Sequence, residues 1–333
     1  MATRRRTILA AAGLVAALAA ATMAAASPAG AATVPTSTVL PTLGGCCGAA
    51  NGMNDYEIVG RSFTASNEMH AVVWRTGRTV TVQDLGTIGG PFSEAAAVNA
   101  RGDVAGYGAL PGNTSYHAVL WRNGQPTDLG TLGGQLSYAT AINSHGDVVG
   151  WSTTEGTTHA FRWHDGRMTD LGTLPGGTFS AANGINDHGD IVGESGSFSQ
   201  RAHAVMWRNG TAVDLGTLPD GGYSSARAVN NRGDVVGYSG SATAIQRPVR
   251  WHDGRITDLG TLGGTDGLAN AINDRGDVAG WADSADGRLH AAVWRRGRAA
   301  VDLGPDMIVN ASDSHGRLAG WVPIMNSQAL FWR

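Results

Sequence analysis

Lysine is absent from this chain of 333 residues, so all 24 basic side chains are arginine. They face 27 acidic ones, for a formal net charge of −3, and charged residues of any kind reach only 15%. Such a chain lacks the basic surface that phosphate neutralisation requires, which argues against a nucleic-acid binder. With 42% hydrophobic residues it is not poor enough in apolar groups to stay disordered. Cysteine is nearly missing: the two present, Cys46 and Cys47, are adjacent. Adjacent Cα atoms are only about 3.8 Å apart, closer than the usual disulfide span. The expected role is packing as two small apolar residues, with a vicinal or intermolecular disulfide as the alternative. Without a third cysteine there is neither a disulfide framework nor a zinc knuckle. Beyond the first thirty residues no segment reaches the ~18 consecutive apolar residues of a membrane-spanning helix.

Residues 1–32, "MATRRRTILAAAGLVAALAAATMAAASPAGAA", read as an export signal. An arginine cluster at Arg4 to Arg6 leads into an Ala/Leu/Val stretch, and small residues end near Ala31 or Ala32. Arg5–Arg6 followed by Thr7, Ile8 and Leu9 loosely resembles a twin-arginine signal. Cleavage is expected, with an uncleaved anchor as the alternative. That leaves residues 33–333 as a secreted, extracellular domain, monomeric and with no membrane attachment.

What the chain has in abundance is glycine, 49 residues of it, and repetition. The triplet "DLG" recurs at Asp84, Asp128, Asp170, Asp214, Asp258 and Asp302, spaced by 42 or 44 residues. Tryptophan keeps step at Trp74, Trp121, Trp163, Trp207, Trp251, Trp294 and Trp332. Each unit holds four short runs, as in "LANAIND", "DVAGWAD", "HAAVW" and "AAVDLG". They are too short for helices, rich in Val, Ile and aromatics, and separated by Gly, Asn and Asp. Four strands in about 43 residues is a blade of a β-propeller. Alternation puts the tryptophan on the face of its strand that packs against the next sheet. The chain carries seven tryptophan strands but six "DLG" strands. "TVLPTLGG" (38–45) lines up with "TDLGTLPGG" and supplies the missing copy. The expected fold is therefore all-β: a seven-bladed propeller of four-stranded blades, the last closed by an N-terminal strand. Val39 and Leu40 should pair with the strand around Ala329 to Trp332, leaving no open seam.

Turn chemistry explains other motifs. "NDRGD" and "NDHGD" place Asn-Asp ahead of a glycine that can take positive φ in a tight hairpin. "RGD" at Arg101, Arg232 and Arg275 falls in this slot, which elsewhere reads "HGD" at His145 and His188 and "HGR" at His315. It is a turn consensus rather than an adhesion signal, and it lacks the dense ligands and closing Glu of a calcium loop. The series His70, His117, His159, His203 and His290 invites a metal or general-base reading. Equivalent positions on different blades cannot meet at one ion, so each histidine is expected to hydrogen-bond a nearby aspartate as a staple within its blade.

In "LGG…AIND.GDVVG…HA..W" the chain resembles the HAF-repeat family of extracellular repeat proteins, from about Thr38 to Arg333. The triplet "HAF" itself occurs at His159 to Phe161, and the fifth and seventh units depart with "RPVRW" and "QALFW". The resemblance implies export and a repeat architecture and lends no catalytic residues. No Ser-His-Asp, paired-carboxylate or phosphate-loop pattern stands out, and the nearest breaks in the repeat are Arg247 and "ADSADGR" (282–288). The expectation is thus a non-enzymatic scaffold, without catalytic, cofactor or metal residues, that binds an extracellular protein or glycan. Its variable segments, "RSFTASNEM", "YGALPGNTSY", "WSTTEGTT", "ESGSFSQRA", "YSGSATAIQ", "WADSADGRL" and "WVPIMNS", are read as loops on one face. The alternative is a propeller enzyme acting on extracellular polysaccharide or another polymer.

Overall fold

The computed structural model describes residues 36–197, 200–242, 244, 246–296, 298–323 and 327–333. The expected export signal lies outside the described residues. Among them, the strands form seven four-stranded antiparallel sheets, the blades of a propeller. Blades one to six run in sequence order over residues 44–86, 93–128, 137–170, 179–214, 224–258 and 263–305. Blade seven combines three C-terminal strands (308–332) with Ser37–Val39 at its outer edge. The latch pairs with the expected strand, Ser37 opposite Trp332, Thr38 opposite Phe331 and Val39 opposite Leu330. Leu40 adds an N–H bond to the Ala329 carbonyl at 2.9 Å.

Local chemistry dictates the blade. In the hairpin from first to second strand, Asn186 Oδ1 accepts the N–H groups of His188 and Asp190, and Gly189 turns the chain at φ 81°. Outer hairpins use Asn123-Gly124 or Asp165-Gly166, both residues at positive φ, as a two-residue turn matched to strand twist requires. One extra residue bulges from the first strand, for instance between Ala182 and Gly184. Opposite the bulge the second strand carries a glycine in every blade. A Cβ on Gly193 would lie 2.0 Å from the Ala181 carbonyl oxygen.

Seven apolar clusters fill the seven blade interfaces. Trp121 packs with Val59 and Val73 of blade one, and Trp74 with Ala319 and Phe331 of blade seven, closing the circle. A buried tryptophan removes roughly 200 Å² from water, worth about 5 kcal/mol before entropy. Two expectations need correction. Cys46 and Cys47 are joined as a vicinal disulfide rather than packed as free thiols. They occupy a three-residue irregularity between Gly44 and Gly48, where the strand leaves its ladder and adjacent side chains can converge. The first residues of the segments read as loops, Arg61, Tyr107, Trp151, Glu194, Tyr238, Trp281 and Trp321, belong to second strands. Each segment read as loop began just after the invariant glycine, although the sixth unit's run "DVAGWAD" already carried the strand through it.

Candidate functional site

The strand directions define two faces. Loops from second to third strands and connections between blades lie on one face, here the upper; the two hairpins of each blade lie on the other.

The staples come first. His70, His117, His159, His203 and His290 reach Asp84, Asp128, Asp170, Asp214 and Asp302 through Nδ1 at 2.7–2.9 Å. Each aspartate also accepts the N–H of the glycine two residues on, as Asp170 does from Gly172. In blade five Arg247 takes the histidine's place against Asp258. These pairs sit on the upper face, on outer strands, one in each of blades one to six, and the structure brings no two of them together.

At the lower mouth the hairpin asparagines form a ring. Each Nδ2 donates to the next blade's equivalent carbonyl: Asn54 to Asn99, Asn99 to Asn143, Asn143 to Asn186, Asn186 to Asn230, Asn230 to Asn273, and Asn273 to Asp313. Asp313 has no amide to donate. Arg317, four residues on, closes the ring on the Asp55 carbonyl and also pairs with Asp313. A second belt runs at the bulge, where Asn51, Thr140, Asn183, Asn270 and Asn310 each donate to a carbonyl of the next blade. Inside the lower mouth is a funnel of about 320 Å³ with an apolar wall including Ile142, Ile185, Val229 and Ile272. Its rim carries Asp55, Asp187 and Asp274. Asp55, Asp313 and His315 hold atoms within 4.8 Å of one another that could ligate a metal. Yet Ser314 donates to Asp55 through both N–H and hydroxyl, and Arg317 and two backbone N–H groups occupy Asp313. Burial pushes the Asp55 and Asp187 carboxyls up, but hydrogen bonds from Ser314, and from Ser144 and Asn231, outweigh it and hold both below the usual range. This mouth is joinery.

The upper channel is different. Two positions of each blade meet there, one on the first strand (Ala49, Glu94, Tyr138, Ala181, Ser225, Leu268, Ile308) and the one after the invariant glycine on the second. Every side chain of the second set is half-buried. Between blades one and two, Glu94 is 8% exposed. It accepts hydrogen bonds from Arg61 at 2.8 and 2.9 Å, from Asn51 at 2.7 Å and from the Tyr107 hydroxyl at 2.7 Å. Burial, then the Glu94 charge, drives the Tyr107 phenol far above its ordinary value, so it stays a donor. Between blades two and three stand aromatic rings: Tyr138 stacks on Trp151 at 4.3 Å and on Tyr116 at 6.1 Å, with Tyr107 tilted against it at 4.6 Å. Within blade five, Arg227 lies over Tyr238. Burial and the Glu194 charge raise the Tyr238 phenol. The repeat is thus uniform at the joints and irregular around this girdle. Sequence reasoning passed over the girdle because its residues were counted as loop; the available signal was a large side chain after the same glycine in all seven units.

No family model matches the chain, and no curated protein matches it. Among solved structures it is similar to a puromycin-hydrolyzing peptidase of Mycobacterium tuberculosis, with TM-score 0.54 and 13% identity over 84% of this chain and 50% of that one. It is also similar to TolB from Acinetobacter baumannii (TM-score 0.48, 10% identity, 80% and 76% covered). A fungal lectin, the six-bladed fucose-recognising protein of Aleuria aurantia, gives TM-score 0.41 and 12% identity over 80% and 97%. At such identities the peptidase likeness speaks to the propeller fold alone, and this chain spans half of that protein.

Proposed function

We propose that the chain is an exported propeller of HAF-repeat type that acts outside the cell as a non-enzymatic binding scaffold, holding a glycan or protein partner at its upper face. The observation that carries this reading is the contrast between joints and girdle. Joint positions repeat from blade to blade and spend their polar groups on one another. Girdle positions, half-buried at the channel mouth, are aromatic in five blades and charged in two, and their first-strand neighbours range from Ala to Glu and Tyr, a variety that suits a recognition surface on a rigid frame.

The rival, an enzyme acting on polysaccharide, draws on the lower mouth, where Asn231 Nδ2 bridges Asp187 at 3.1 Å and Asp274 at 3.0 Å. Two carboxylates so placed are within reach of one glycosidic bond. One of them must then be a proton donor with a raised pKa, whereas Asp187 is held low by Ser144 and Asn231. The upper carboxylate, Glu94, has its oxygens filled by three partners.

The test presents residues 33–333 to a glycan array and to purified extracellular proteins, with girdle variants (Arg61→Ala, Tyr238→Ala) beside lower-mouth variants (Tyr56→Ala, Asp187→Asn). Ligand retention weakened by girdle changes alone, with no release of reducing ends, supports the scaffold. Product release abolished by Asp187→Asn would establish the enzyme instead.

A further inference from the structure

Resting on the scaffold reading, we infer that the aromatic cluster at the upper channel between blades two and three is a subsite for the sugar rings of a neutral polysaccharide. Tyr116, Tyr138 and Trp151 form a column, with interplanar angles of 20° between the two tyrosines and 21° between Tyr138 and Trp151. All three rings are half-buried, so the column is packed yet reaches solvent. The faces stacked on Tyr138 cover one another, so the apolar platform offered to the C–H face of a pyranose is the half-buried outer surface of Tyr116 and Trp151, while hydroxyl donors at the ring edges serve its polar rim. Burial, then the neighbouring Tyr116, raises the Tyr138 phenol, which keeps its proton.

The surroundings select against a charged ligand. The blade-two loop (110–115) and the connection into blade three (129–136) contain no ionisable side chain. Their exposed polar members are Asn113, Thr114 and Gln135, with Ser115 half-buried. Glu155 is an ionisable residue of blade three's own loop, exposed at its tip. The charges that border the cluster are spent on one another: Glu94 is paired with Arg61, His117 with Asp128 and His159 with Asp170. The rim is also fixed in place: Ser115 donates to the Gln135 carbonyl, tying the loop of one blade to the connection of the next beside the column. A rigid aromatic platform with a neutral amide and hydroxyl rim suits an uncharged, hydroxyl-rich ligand.

The experiment incubates residues 33–333 with insoluble cellulose, chitin, xylan and β-1,3-glucan, and with alginate as the anionic arm. The expected result is retention on at least one neutral polymer. Tyr116→Ala and Trp151→Leu should weaken it at least tenfold, whereas Tyr138→Phe, which keeps the ring, and Tyr223→Ala, in another sector, should not. Thermal melting establishes that each variant is folded; should Trp151→Leu not fold, Tyr116→Ala decides. Retention unaffected by Tyr116→Ala overturns the subsite while leaving the scaffold reading intact. Binding to alginate alone, or to no polymer, overturns the neutral-glycan assignment. The scaffold reading falls separately, where retention of any partner depends on the lower-mouth variants and not on the girdle.

Discussion

Starting the chain at Gly44 rather than at residue 33 should cost the propeller most of its stability, because Ser37 to Leu43 seal a ring. Leu40 is 2% exposed, inside the cluster shared by blades one and seven; its burial is worth about 1.5–3 kcal/mol. Leu43 packs partly against the same cluster, adding about 1 kcal/mol. The Pro41 carbonyl accepts the Trp74 indole N–H at 2.7 Å; leaving that buried donor unpaired costs about 1–3 kcal/mol. Lost pairing of Ser37–Val39 with Leu330–Trp332 adds about 0.5–1.5 kcal/mol per hydrogen bond. The sum, roughly 5–10 kcal/mol, rivals the ~5–15 kcal/mol total of a typical domain. It also uncovers a strand edge that invites self-association. Differential scanning calorimetry and size-exclusion chromatography should show a midpoint lowered by more than about 10 °C, or aggregates. Two point variants sharpen the test. Leu40→Ala should cost about 2–5 kcal/mol, whereas Val39, 54% exposed on the outer edge, should tolerate alanine within about 0.5 kcal/mol. A truncated chain that melts with the intact one, or a costly Val39→Ala, would refute the reasoning.

Three further outcomes follow from the joints. Arg317→Ala leaves the Asp313 carboxylate, 0% exposed, without its cation, which should cost about 3–5 kcal/mol. Adding Asp313→Asn should recover much of it in urea denaturation, and equal losses in single and double variants would contradict the ring-closure account. His203→Ala should cost only about 0.5–1.5 kcal/mol, since both partners are partly solvated, and it should leave ligand retention unchanged; retention lost at unchanged melting would make the histidine functional. Asp190 is held below the usual carboxyl range chiefly by Arg208, and Asp147 and Asp234 are also low, their hydrogen bonds and ion pairs outweighing burial. A folded pKa below the unfolded value near ~3.9 gives stability that is complete above it and lost as pH falls through the lowered value. Arg208→Met should therefore raise the pH of acid unfolding, followed by circular dichroism from pH 5 to 2, and an unmoved midpoint would count against the pair.

The blade count and the tryptophan interfaces were legible because the unit is written seven times and periodicity averages out local ambiguity; the latch was legible because the "DLG" strands number one fewer than the tryptophans. The histidine staples were legible for the same reason, His and Asp recurring in step on adjacent strands. The vicinal disulfide was not, since a dipeptide's geometry depends on whether the strand around it stays in register, and Gly44 to Gly48 does not. The asparagine ring was missed for another reason. Asn99 or Asn230 looks like a turn residue, and its Oδ1 does serve the turn, but its Nδ2 serves the next blade. One side chain doing two jobs shows only one of them to local reasoning.

The division between uniform joints and an irregular girdle follows from closure itself. In an open stack one weak interface loosens a neighbour; in a ring it opens the whole circle, so every interface must meet the same standard. That demand reaches each group whose partner lies in the next blade, down to the seventh, where Asp313 and Arg317 together replace one asparagine. It does not reach side chains that touch the channel solvent. At the position after the second-strand glycine, Arg61 can bind Glu94 and Trp151 can stack on Tyr138 without altering a joint. Chemical variety is cheap there and costly elsewhere. A repeat protein that recognises one ligand rather than seven would accumulate its differences at that place, which is why the search for a partner belongs at the upper mouth.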